Sequence, residues 1–205
     1  MPSKANRRLS EIDLHYAIQN GRIKDVARLL REGVDPNALE DRKFFYTPLC
    51  TAISAAAMAL WTRGKVTKNA IGRRERSCEI IRLLVQAGAD PNLRTLTRTP
   101  LNLAVHEADY EVTQLLLELG ASPSGECWSL PEMSRRKQGV AHCANAIHEA
   151  AEKGYDEIVR MLCEYGADLS ARDDSGRTAL QIARDPATVR ILKRYGKKAA
   201  RNSMG

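Results

Sequence analysis

Apolar residues recur at i, i+3 and i+4 in short blocks along the chain, and each block stops at a glycine. Four stretches repeat one phrase: "VARLLREGVDPN" (26–37), "IIRLLVQAGADPN" (80–92), "VTQLLLELGASPS" (112–124) and "IVRMLCEYGADLS" (158–170). Each predicts a helix with one apolar face that ends at Gly33, Gly88, Gly120 or Gly166. Glycine suits that position because the residue after a helix often takes a left-handed backbone. Asp-Pro-Asn follows in the first two copies and turns the chain away. A second phrase precedes the first: "TPLCTAI" (47–53), "TPLNLAV" (99–105), "NAIHEAA" (145–151), "TALQIAR" (178–184) and a degenerate "IDLHYAI" (12–18). Thr before Pro predicts a helix start, with the hydroxyl capping free N–H groups and Pro in the first turn. Ala17, Ala52, Ala104, Ala150 and Ala183 let neighbouring helices approach closely.

Two phrases recurring in order make units of helix, turn, helix, glycine stop and loop. These residues resemble the ankyrin repeat over roughly 10–196, nearly the whole chain. The resemblance implies an all-α solenoid of stacked helix pairs with projecting hairpin fingers, a concave face, and protein binding rather than catalysis. It also implies that His15 and His148, in the second phrase, brace inter-unit loops. One such unit cannot bury its apolar face alone, so the end units are expected to be modified. The first offers polar Glu11, Asp13 and Gln19, and the last is short and carries Arg190, Lys193 and Arg194. Five units are expected, near 10–41, 42–93, 94–124, 125–171 and 172–196, between an N-terminal extension (1–9) and a basic tail (197–205) expected to lack order.

The stops are separated by 55, 32 and 46 residues, against a period of about 33 for this class of repeat. Two units are therefore enlarged, at about 57–77 and 125–144. The first insertion lies between two helices. "SAAAMALWT" predicts an extension of one helix, "RRERSCEIIRLLV" a backward extension of the next, and "GKVTKNAIG" a solvated turn. Both stretches are expected to hang outside the repeat packing, since lengthening a surface loop costs only about 0.6 kcal/mol per doubling.

Composition narrows the function. Aromatic content of 5% is low for an α/β enzyme, and no run is apolar enough to span a bilayer. The start "MPSKANRRLSEIDL" has no apolar core, so it does not read as a secretory signal. Five cysteines without a CxxC pair fit packed thiols in a reducing compartment. Cys127, His142 and Cys143 lack the paired spacing of a zinc site, and no phosphate loop, GxSxG or HExxH occurs, so no cofactor is expected. The net charge of +7 is uneven: residues 39–78 carry +5 and 171–205 carry +6, while 79–124 and 125–170 carry −3 each. The tail weakly resembles a nuclear import signal, which points to a cytoplasmic or nuclear protein.

The expected function is a protein-interaction module whose partner carries an acidic segment. Candidate contacts are Phe44, Phe45 and Tyr46 on finger one, Arg94 and Arg98 on finger two, and Trp128, Arg135 and Arg136 on the long finger. Trp61, Arg73, Arg74 and Arg76 form a basic inserted arm, and His106, read as the freest histidine, points toward the concave face. On a helix Arg73 and Arg76 share a face that Arg74 does not. A second reading roofs a small-molecule or catalytic pocket with the two insertions, lined by Trp61, His106 and Trp128. A third, nucleic-acid binding through the basic ends, is disfavoured because the acidic middle interrupts a continuous track.

Overall fold

The computed structural model describes residues 4–39, 46–60, 68–95, 98–125 and 145–202. The described residues are helices and turns, with no strand among them. The chain divides into two compact units, Met1–Thr95 and Leu96–Gly205.

The first unit holds two helix pairs, α1 (Lys4–Gln19) with α2 (Ile23–Arg31) and α3 (Pro48–Leu60) with α4 (Lys68–Gln86). The first helix of one pair packs on the first of the other, and the second on the second. Leu14, Ile18, Leu49, Ile53, Ile80, Ile81 and Leu84 fill the space between the layers and are fully buried. Each such side chain contributes about 1.5–3 kcal/mol on leaving water. The second unit repeats the plan with α5 (Pro100–His106) and α6 (Tyr110–Glu118), α7 (Ala146–Lys153) and α8 (Asp156–Glu164), and α9 (Ala179–Ile182) and α10 (Pro186–Asn202). Leu101, Leu116, Ile147 and Leu162 are the largest apolar residues fully buried among its described residues.

The starts and stops follow the expected chemistry. Thr47 Oγ1 accepts from the Cys50 N–H and Thr99 Oγ1 from the Asn102 N–H, both at 3.2 Å. Gly33, Gly88, Gly120 and Gly166 all have φ between 84° and 97°. Behind each, the next N–H returns to a buried leucine carbonyl: Val34 to Leu29, Ala89 to Leu84, Ala121 to Leu116 and Ala167 to Leu162, at 2.9–3.1 Å. Each glycine N–H also returns to the carbonyl three residues before it, and the two bonds together satisfy orphan carbonyls of the helix end. In the fingers, Asp35, Asp90 and Asp168 each accept from the N–H two residues on. Asn37 then ties its finger to the next, donating to the Gly88 carbonyl (3.0 Å) and accepting from the Asp90 N–H (2.8 Å). In the second unit Ser124 Oγ accepts from the Asp168 N–H at 3.0 Å. The bracing histidines are buried as well. His15 Nδ1 lies 2.8 Å from Thr51 Oγ1, and His148 Nε2 donates to the Ala171 carbonyl at 3.1 Å.

Two expectations need correction. First, the described part of the first insertion extends α3 and α4, as expected, but does not all hang outside the packing. Helix α3 runs on to Leu60 and α4 begins at Lys68, so the part of the expected turn from Lys68 to Gly72 is helical. Ala56, Ala57 and Ala59 of α3 and Ala70 and Ser77 of α4 are buried. Small side chains let two helices touch without large apolar residues. Second, α10 passes through Gly196 to Asn202 instead of stopping there. Helix α1 starts at Lys4, so most of the N-terminal extension is helix.

Candidate functional site

The lengthened α3–α4 hairpin brings part of the basic arm onto a defined surface. On α4 the buried or half-buried line is Ala70, Arg74, Ser77, Ile81 and Leu84, which is one helical face. Arg73 and Arg76 are exposed, and Arg74 is half-buried with interactions of its own. Arg76 also lies across the turn between α1 and α2, where a Cβ on Gly21 would meet its Nε at 3.1 Å. The sequence reading missed two exposed apolar residues of the same hairpin. Met58 on α3 is 74% exposed and Ile71 on α4 is 47% exposed. The signal for Met58 was there: it is a large residue set among alanines in "SAAAMAL".

In the second unit Arg98 and His106 converge on Glu149, a residue the sequence reading passed over. Arg98 Nη1 donates to Glu149 Oε2 at 2.8 Å, and His106 Nδ1 lies 2.6 Å from Glu149 Oε1. The carboxylate is mostly buried, whereas the imidazole is 45% exposed. Arg98 precedes α5, His106 ends it, and Glu149 sits on α7. One carboxylate thus clamps both ends of α5 to the next helix. His106, expected to be the freest histidine, is exposed but pairs with Glu149, and it is the most accessible of these three side chains. The residue after His148 in "NAIHEAA" was the available signal for Glu149.

Arg94 is exposed on finger two, and Tyr46 is half-buried beside the Thr47 cap; both make further interactions. Phe44, Phe45, Trp61, Trp128, Arg135 and Arg136 lie outside the described residues, as do Cys127, His142 and Cys143. The pocket expected around Trp61, His106 and Trp128 therefore has only His106 on a described surface. A concavity of about 870 Å³ occurs elsewhere, between the end of α8 and α10, along Glu164, Leu169, Tyr195 and Lys198.

Titratable groups in the repeat interior serve packing. Burial depresses the His148 pKa, against the opposing pull of the Ala171 carbonyl, so the brace is held in its uncharged form. Burial pushes the Cys50 thiol up to about 11, and burial together with the Glu164 charge does the same for Cys163. Neither is a thiolate near neutral pH. Burial would raise Asp173, yet the Arg177 backbone N–H and guanidinium outweigh it and hold that carboxylate below its ordinary range. Its side chain is almost wholly buried, and it fixes the hairpin that leads into α9.

Comparison with known proteins bears on the whole chain. A family model described as ankyrin repeats in three copies matches residues 14–126, and one for ankyrin repeats in many copies matches 136–183. The chain is similar to human SH3 and multiple ankyrin repeat domains protein 2, 26% identical over 90% of this chain and 10% of that protein. It is similar to human ankyrin repeat and SOCS box protein 11, 30% identical over 63% of this chain and 36% of that protein. It is also similar to BRCA1-associated RING domain protein 1 of Caenorhabditis elegans, 28% identical over 56% of this chain and 15% of that protein. The chain thus spans between 10% and 36% of the length of these relatives.

Proposed function

This chain belongs to the ankyrin-repeat family, whose repeats generally mediate protein–protein interaction, and on that premise we propose that it captures a partner through its lengthened second repeat. The observation that carries this reading is the surface of the α3–α4 hairpin. Met58 and Ile71 expose apolar area on the same arm that exposes Arg73 and Arg76. Exposed apolar residues and cations on one arm suit a partner segment that carries both acidic and apolar residues, because anchors supply affinity and the charges supply register. The other contacts of this reading are Arg94 on finger two, the exposed edge of His106 beside Arg98, the Phe44, Phe45 and Tyr46 stretch, Trp61, and the long finger with Trp128, Arg135 and Arg136.

The structure changes how the arm is best tested. Reversing all of Arg73, Arg74 and Arg76 would strike a half-buried side chain and one packed on Gly21, so lost binding and lost folding would be confused. The pair I71E and R73E touches only exposed positions. Capture from the native host with the wild-type chain and with the I71E/R73E chain is expected to retain a protein with the first and not the second. Equal thermal melting of the two chains would assign that loss to the interface. Equal capture by both chains overturns the proposal. In the membrane context, no helix among the described residues is long and apolar enough to cross a bilayer.

A further inference from the structure

We propose that the exposed face of α10 binds the phosphate backbone of nucleic acid without reading its sequence. The helix carries six cations and no acidic residue over Pro186–Asn202. At about 100° per residue, Arg190, Lys193, Arg194, Lys197, Lys198 and Arg201 fall within an arc of about 140°. The centre of that arc lies opposite Thr188 and Leu192, which are buried. All six cations are exposed. None is ion-paired among the described residues; Arg190 Nε only turns back to the Pro186 carbonyl of its own helix, at 3.3 Å.

The stripe is held in place. Asp185 caps the helix by accepting from the Ala187 and Thr188 N–H groups. The Thr188 hydroxyl donates to Asp156 on α8, and the Tyr195 hydroxyl donates to Glu164 on the same helix. The polar face therefore cannot roll away from solvent without breaking these contacts.

Composition of the face selects the occupant. It presents no aromatic or large aliphatic side chain. A protein interface core depends on such anchors and is depleted in lysine. A helix that lies in a membrane surface needs an apolar face to insert. Contact with phosphates needs neither, because affinity comes from charge and counterion release. The stripe from Arg190 to Arg201 is about 16 Å long, by the rise of a helix. That length spans about five phosphates of one strand. The acidic middle of the sequence argued against a track along the whole chain, but α10 supplies a complete track within one helix.

The test is fluorescence anisotropy with the full chain and a labelled random duplex of about 20 base pairs, starting at about 50 mM salt. Binding is expected, indifferent to sequence, with log affinity falling against log salt at a slope of about −3 or steeper. The variant K193E/R194E/K197E/K198E is expected to bind at least about tenfold more weakly with an unchanged melting temperature. If that variant does not fold, K193Q/K197Q/K198Q gives a smaller loss by the same measurement. No binding at low salt, or binding untouched by either variant, overturns the proposal. Equal or tighter binding to a polyglutamate peptide or to phosphatidylserine vesicles also overturns it, assigning the face to an acidic protein or a membrane.

Discussion

The second and third repeats begin and end alike and differ in everything between. Both open on a Thr-Pro pair with the same 3.2 Å capping bond. Both close on a left-handed glycine, Gly88 or Gly120, with the same two return bonds. Yet α3 and α4 have 13 and 19 residues, where α5 and α6 have 7 and 9. Helix α4 is therefore about 15 Å longer than α6. The divergence can be traced to one offset. Nine residues after the opening threonine stand Ala56 in the second repeat and Ala108 in the third. Ala108 turns the chain with φ at 54°, the one non-glycine residue with positive φ among those described. Gly21 and Gly154 make the same turn in their own repeats. Ala56 instead stays helical and is fully buried. A repeat can thus grow along its own axis if its turn residue remains helical and small side chains fill the new seam.

The largest effect is expected where the two repeats are alike. Leu84 and Leu116 hold equivalent buried positions four residues before the glycine stops. L84A and L116A should each cost about 3 kcal/mol in urea unfolding. A distinctly smaller loss for L84A would mean that the long hairpin carries stability independent of its repeat end. A smaller effect separates the repeats. A56G should cost about 1 kcal/mol, because glycine weakens a helix interior. Hydrogen exchange should show faster opening in α3 and α4 and none in α5 and α6. The smallest effect has the opposite sign. A108G should stabilise by about 0.5 kcal/mol, since glycine takes the left-handed turn without the strain alanine bears there. A loss on A108G would show that its methyl group packs against something worth more than that strain.

The residues with unambiguous backbone roles were legible in the sequence. Glycine stops, threonine caps and bracing histidines are each tied to one local geometry, so the repeat could be read through them. The buried face of the long hairpin was not, because on α4 it includes Ser77 and a half-buried Arg74, which an apolar pattern does not count. The helical tail was hidden for a related reason. "YG" occurs at 165–166 and at 195–196. Gly166 ends its helix in left-handed geometry, while Gly196 is followed by Lys197, Lys198 and Ala199, good helix formers that carry the helix through. Of the site residues, Arg73, Arg76 and Arg94 are exposed. Glu149 was missed because its importance comes from two partners, 51 and 43 residues away, that no local spacing reveals.

Neighbouring fingers are fastened unequally. Asn37 grips the following finger with a donated and an accepted bond, whereas Ser124 offers the equivalent junction a single acceptor. A load applied to the loop tips would be shared between the first two fingers and would open the Ser124 junction sooner. The junction between the first two fingers is then the stiffer one, and the Ser124 junction the more compliant.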